Sequence, residues 1–335
     1  VSLEPTVLVT AGTGTVGRHV VGELARLDVP VRVGSRDPES ARERFSADRE
    51  ESPAERDGDD PDSPAFDDFP TVDPEAPVDF VPFDFERPET WGPVLDGIDS
   101  LFLVSVPGVD GDELQSFVDA AARVGVGHVA YLSTLGAQRN PAIPHYWNER
   151  HIRGAALDHT FLRASFFCQN FHEVHRTDVV DHDELFVPAG TGETSFVDAR
   201  DVAAVAAHVL AESDTKETLA SDDPSGGGAT HVNRAYDLTG PTALTYHEAA
   251  EIFSEELDRR ISYPEPSIPA FVRRRRSYGD PLGYALLMVG IYTTARLGLA
   301  GRVTDDVERL LGRPPRHLRE YVADYTGAFE TPPDG

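Results

Sequence analysis

The chain has 335 residues, 40 % of them hydrophobic, enough for one large domain or two modest ones with a buried core. Its formal charge is -28, from 58 acidic against 30 basic residues, which argues against a nucleic-acid partner. Cys168 is the lone cysteine, so no internal disulfide can form and a reducing cytoplasm is expected.

The start of the chain has no basic stretch followed by an apolar signal core. Val7-Leu8-Val9 is a short continuous apolar run, as in a parallel strand buried on both faces. A glycine-rich turn follows, and Val16, Val20, Leu24 and Leu27 then recur at helical spacing. A second strand over 29–33 completes one βαβ unit. Between 47 and 77 the pattern dissolves into Asp, Glu, Pro and Ser, which reads as a mobile acidic insertion.

Further strands are predicted over 78–81, 101–106, 129–132 and 160–162. Between them lie a helix with the stripe Leu114, Phe117, Val118 and Ala121 and another over 146–157. This alternation implies an α/β fold with a doubly wound parallel sheet. Asp198 and Asp201 should cap a helix carrying Val202, Val205, Val209 and Leu210. A polar loop over 213–230 precedes a strand over 236–239, and Thr245-Tyr246-His247-Glu248 has capping-box form. The expected division is a nucleotide-binding domain over 1–170 and a smaller helix-rich substrate lobe over 171–335, some of whose segments return to the sheet. The uncharged stretch 282–295 is shorter than the ~20 apolar residues of a membrane span, and is read as a helix closing over the site.

Gly12-Thr13-Gly14-Thr15-Val16-Gly17 sits between the first strand and its helix. Glycines at this spacing permit a tight turn, close approach of backbone to a pyrophosphate, and close helix packing. The helix end adds unpaired N–H groups and a positive dipole end, so a dinucleotide is expected there. At the end of the second strand stands Gly34-Ser35-Arg36 rather than an acid that would select NAD. Arg36 and Ser35 suit a 2′-phosphate, so NADP is the expected cofactor and NAD the alternative.

Residues 7–17 also resemble the opening of NmrA-like proteins, atypical members of the short-chain dehydrogenase/reductase superfamily. Similar matches occur at 103–108, 131–137, 160–170, 194–198 and 236–241, and cover most of the chain outside the acidic insertion. Lys216 is the single lysine, and an acidic, lysine-poor surface points to a salt-loving, haloarchaeal member. One departure stands out: the family usually has glycine at the position of Ala11 and a small residue at Gly12. The resemblance implies that Asp84 and Phe85 lie near the adenine, Ser105, Val106 and Pro107 pass the nicotinamide ribose, and Ser133 sits near the nicotinamide.

The Tyr-x-x-x-Lys pair of ordinary short-chain dehydrogenases is missing. Tyr146-x-x-x-Arg150 has its spacing and is the weak catalytic candidate, although the family register puts Glu149 where some relatives have lysine. Two functions remain open. One is a reductase passing hydride to a quinone-like small molecule between aromatic walls drawn from Trp147, Phe166, Phe167 and Phe171. The other is a redox sensor that binds the nucleotide without turnover and signals to a protein partner. No metal is expected: the nearest spacing, His172-x-x-His175 with Asp178, lacks a third soft ligand. The run Arg273-Arg274-Arg275-Arg276 should pair with acidic neighbours.

Overall fold

Side chains that are apolar on both faces build the centre of the molecule. In β1 (Val7–Val9) all three are fully buried, which only an interior strand covered on both sides allows. The computed structural model describes residues 6–46, 68–106, 108–109, 111–155, 157–213 and 231–330. Most of the acidic insertion, most of the 213–230 loop with Lys216, and Pro107 lie outside the described residues.

In chain order the first half comprises β1, α1 (Gly17–Arg26), β2 (Val31–Ser35), α2 (Pro38–Phe45), β3 (Val78–Pro82), α3 (Trp91–Leu95) and β4 (Ser100–Val104). There follow α4 (Gly111–Val124), β5 (His128–Thr134), α5 (Pro144–Gly154), β6 (Asp158–Ala164), α6 (Asn170–Glu173) and α7 (Arg176–His182). Next come β7 (Glu193–Thr194), α8 (Ala199–Ser213), β8 (Arg234–Leu238) and β9 (Leu244–Thr245). The chain ends with α9 (Tyr246–Glu256), α10 (Ile268–Ser277), α11 (Leu282–Arg296), α12 (Asp306–Leu311) and α13 (Leu318–Asp324).

Seven strands form one sheet in the order β3-β2-β1-β4-β5-β6-β8, and every neighbouring pair is parallel. This is the doubly wound α/β architecture, with its strand order reversing between β1 and β4. On one face pack α1 and α8, burying Val20, Val21 and Leu24 against Val202, Val205 and Val209. The other face is covered by α4 and α5, through Leu114, Phe117, Val118 and Ile152. A third core, with Phe253, Phe271, Tyr292 and Tyr321, belongs to the helical lobe. β8 joins the sheet edge, and α12 packs on α8 and β8, so late segments complete the sheet and its helical cover.

Local chemistry explains where elements begin and end. β2 starts at Val31 rather than 29 because α1 ends at Arg26 and Asp28 turns the chain at φ 59°. At the start of α2, the Asp37 carboxylate accepts the Ser40 N–H. Both reciprocal bonds of the capping box form between Thr245 and Glu248. The arginine run lies on α10, where Arg274 pairs with Asp178 and Glu184, and Arg275 with Asp280. Helix α11 buries Met288, Tyr292 and Ala295 and exposes Leu286, Leu287 and Ile291.

Two buried histidines, His128 and His172, should make the fold acid-sensitive. Burial pushes His128 and His172 from 6.5 down to about 4. The unfolded chain therefore takes up protons below pH 6.5 that the native state refuses until about pH 4. Stability present above the unfolded value is lost across that window, by about 3 kcal/mol per histidine. Urea midpoints measured between pH 7 and pH 4 should fall, and His128→Gln should flatten the slope; an unchanged slope would refute the assignment.

Candidate functional site

The site is built around the reversal of strand order, where the carboxyl ends of β1 and β4 diverge. Buried Thr10 ties these ends together: its hydroxyl donates to the Phe102 carbonyl at 3.1 Å and accepts the Val104 N–H at 3.0 Å. The chain then enters the glycine turn. Ala11 takes φ 50°, the left-handed region where the family's usual glycine costs less. Gly12 cannot exchange places with it, since a Cβ there would lie 2.4 Å from Val33 Cγ1. At Gly17 a Cβ would meet the Ala11 carbonyl oxygen at 2.1 Å, so only glycine lets α1 start this close to the turn.

Gly14 donates back to the Ala11 carbonyl at 2.9 Å and closes the turn. The N–H groups of Thr15 and Val16 find no protein acceptor among the described residues. The Thr15 hydroxyl, in contrast, donates to Glu173 Oε2 at 2.6 Å. Glu173 also accepts from Arg18 at 2.9 Å, and Arg18 in turn pairs with Asp68. This buried arginine offsets both carboxylates beside the glycine turn and ties α6 to α1. Neither Arg18 nor its partners stood out in the sequence, because the contacts span about 50 and 155 residues.

At the end of β2, Ser35 exchanges hydrogen bonds with Asp37: its Oγ donates to the Asp37 carbonyl and accepts the Asp37 N–H. Arg36 projects from the same turn and is exposed. The acid nearest the ribose-reading position, Asp37, is occupied in capping α2. After β3, Asp84 Oδ1 accepts the Glu86 N–H, while the Asp84 carbonyl accepts from Thr90 and Trp91. Phe85 is buried and packs its ring on Phe83 and Phe117, so that ring serves the core and only its backbone stays at the strand end.

The end of β5 carries Ser133, whose hydroxyl donates to Glu149 Oε1 at 2.8 Å. Arg163, the register partner of Ser133 on β6, grips both oxygens of Glu149 at 2.8 and 2.7 Å. Burial raises the Glu149 carboxyl, but the bonds from Arg163 and Ser133 outweigh it and hold the group below its ordinary value. A carboxylate holding four hydrogen bonds, from Ser133, from Arg153 and twice from Arg163, thus occupies the Glu149 position of α5. Beside it, Tyr131 Oη lies 2.7 Å from His145 Nδ1 and accepts from Asn148 at 3.0 Å. Burial pushes the Tyr131 hydroxyl up, and Ser105 and Val106, in the loop after β4, are half-buried.

Tyr146 is half-buried, while Arg150 is exposed and stacks over the Tyr146 ring with its guanidinium carbon 5.7 Å from the centroid. The four aromatic candidates diverge. Trp147 is exposed on α5 and donates to the Pro141 carbonyl. Phe171 is buried between Phe196 and Phe253 and belongs to the lobe core. Phe166 and Phe167 remain half-buried after β6, the former near Tyr292 and the latter against the sheet core. His172 and His175 each meet a tyrosine hydroxyl, of Tyr321 and Tyr292 respectively.

The NmrA-like family matches residues 4–294. The chain belongs to this family. An NAD(P)H azoreductase of Xenophilus azovorans is 27 % identical over 328 residues, covering 96 % of this chain and 99 % of that protein. Among solved structures, an NADPH-dependent quinone oxidoreductase of Escherichia coli in complex with NADPH superposes with TM-score 0.74. It is 21 % identical, with 96 % of this chain and 99 % of that one covered. A triphenylmethane reductase of Citrobacter sp. complexed with NADP(H) gives TM-score 0.71 at 23 % identity, covering 95 % and 99 %. These likenesses show the same fold, a parallel α/β sheet flanked by helices. Among its described residues, no helix is long and apolar enough to cross a membrane.

Proposed function

We propose that this NmrA-like chain is an NADPH-dependent reductase acting on a small, flat, conjugated acceptor of the quinone or dye type. The observation that carries the reading is the cradle at Gly17, which brings the Ala11 turn against the first turn of α1 at a distance only a bare Cα permits. Such a cradle aims the Thr15 and Val16 N–H groups at a pyrophosphate. Arg36 would take the adenosine 2′-phosphate, and Asp37, bound to its own helix, would not compete for the ribose. Bound there, the nucleotide supplies a hydride.

The Ser133 hydroxyl spends its one proton on Glu149 and can therefore only accept, which suits the amide N–H of a carboxamide. Glu149, locked by Arg163, fixes that orientation and stays out of proton transfer. Reduction of a quinone by hydride leaves a hydroquinone anion, whose proton comes from water. Tyr146 and Arg150 are not needed for that step. The relatives' names support the acceptor class: azo, quinone and triphenylmethane compounds all delocalise the incoming electron pair.

A non-catalytic redox sensor is the second reading, favoured by the closed Ser133–Glu149–Arg163 network, which leaves no acid group poised at that point. Steady NADPH oxidation with benzoquinones, azo dyes or triphenylmethane dyes at high salt is the outcome expected of the reductase. Nucleotide binding with no oxidation across that panel would favour the sensor.

A further inference from the structure

At the edge of the sheet opposite the phosphate loop, three ligand-type side chains converge. His208 and Glu212 lie one turn apart on α8 and share a helix face. His231 stands just before β8, brought alongside by the pairing of β8 with β6. Glu212 Oε1 is 3.5 Å from His208 Nε2, and Glu212 Oε2 is 3.0 Å from His231 Nε2. One ligand atom from each residue fits within 4.8 Å of the other two. Around a tetrahedral zinc, with bonds of about 2.0–2.1 Å, neighbouring ligand atoms stand about 3.3 Å apart. The two His–Glu contacts, each to a different oxygen of the one carboxylate, lie close to that spacing, and a small inward shift of the imidazoles would close the set.

The surroundings favour a metal over a simple ion pair. His231 is buried at 4 % exposure, and its Nε2 faces the Glu212 carboxylate. Its other nitrogen, Nδ1, lies 2.8 Å from the Tyr236 hydroxyl. A tyrosine hydroxyl both donates and accepts, so it can accept the Nδ1–H of the tautomer whose Nε2 lone pair binds a metal. The two imidazoles meet edge to face, with centroids 5.3 Å apart, and converge on one carboxylate. His208 is one-third exposed and Glu212 half-exposed, which leaves an entry path from solvent.

We infer that His208, Glu212 and His231 form a binding site for one divalent transition-metal ion of the zinc class, with water completing the coordination. Two imidazoles and a carboxylate suit zinc or nickel rather than magnesium or calcium. The ion would clip the end of α8 to the start of β8 across the 213–230 connection. Lying at the strands' amino ends, it is a structural clip remote from the nucleotide.

The test is calorimetric titration of chelator-treated full-length chain with Zn2+, with Co2+ absorption as a second readout. One ion per chain at micromolar affinity, a raised Tm and tetrahedral cobalt bands are expected. His208→Gln and Glu212→Gln should each weaken binding at least about tenfold. His247→Gln, which removes an exposed histidine paired with Glu265, should leave it unchanged. No stoichiometric binding, or binding that survives His208→Gln with the native circular dichroism spectrum, would overturn the site.

Discussion

Arg163→Met should destabilise the protein by about 3–5 kcal/mol, the usual consequence of stripping the partner from a buried charge. Glu149 is fully buried, and two of its bonds come from the Arg163 fork. Without that fork the carboxylate keeps only the Ser133 hydroxyl and the more exposed Arg153. Much of the loss comes from stranding Glu149 rather than from the pair's net worth. The double variant Glu149→Gln, Arg163→Met should therefore recover most of it. Urea denaturation of both variants checks this. A single variant within about 0.5 kcal/mol of wild type, the range of ordinary surface changes, would mean the carboxylate is solvated or protonated in the native state.

Gly17→Ala should weaken nucleotide binding more than any change at the ribose. The added Cβ falls 2.1 Å from the Ala11 carbonyl oxygen and 2.8 Å from its carbon, both backbone atoms that cannot rotate away. The turn or the helix must shift. Hydrogen bonds to a charged group are worth about 1.5–3 kcal/mol each, so losing two weakens binding by about a hundredfold or more. Overpacking adds about 1–3 kcal/mol of destabilisation, which a parallel urea curve separates from the binding loss. A folded Gly17→Ala chain with wild-type affinity for NADPH would place the nucleotide somewhere else.

How much of this was legible beforehand follows from the range of each signal. The strands, the glycine turn and the capping box at Thr245 are local, and periodicity or spacing over a few residues reveals them. β2 begins two residues later than its apolar run predicts, because nothing local announces the left-handed turn at Asp28. Ala11 showed where the chain departs from its family, and the structure supplies the reason for Gly12, which is the bulk of Val33.

Contacts made by folding were not legible. Arg163 reaches Glu149 only because β5 and β6 pair in register and α5 packs over them. Arg18, Asp68 and Glu173 meet across the joint between the insertion, the sheet domain and the lobe. Phe85 and Phe171 have the right chemistry for a ligand wall, yet an aromatic ring is equally suited to a core, and burial decided between the two. The histidines split the same way. The local pair His172 and His175 meets tyrosine hydroxyls, while His231 joins His208 from a distant strand.

The central claim is that the first turn of α1 holds the pyrophosphate of NADPH, with Arg36 reading the 2′-phosphate. Calorimetric titration of wild type and Arg36→Ala with NADPH and NADH, in concentrated salt, tests it most directly. The account predicts tighter binding of NADPH than NADH by wild type, and a selective loss of about tenfold or more for NADPH in the variant. Failure of the wild-type chain to bind either nucleotide would contradict the account at its root.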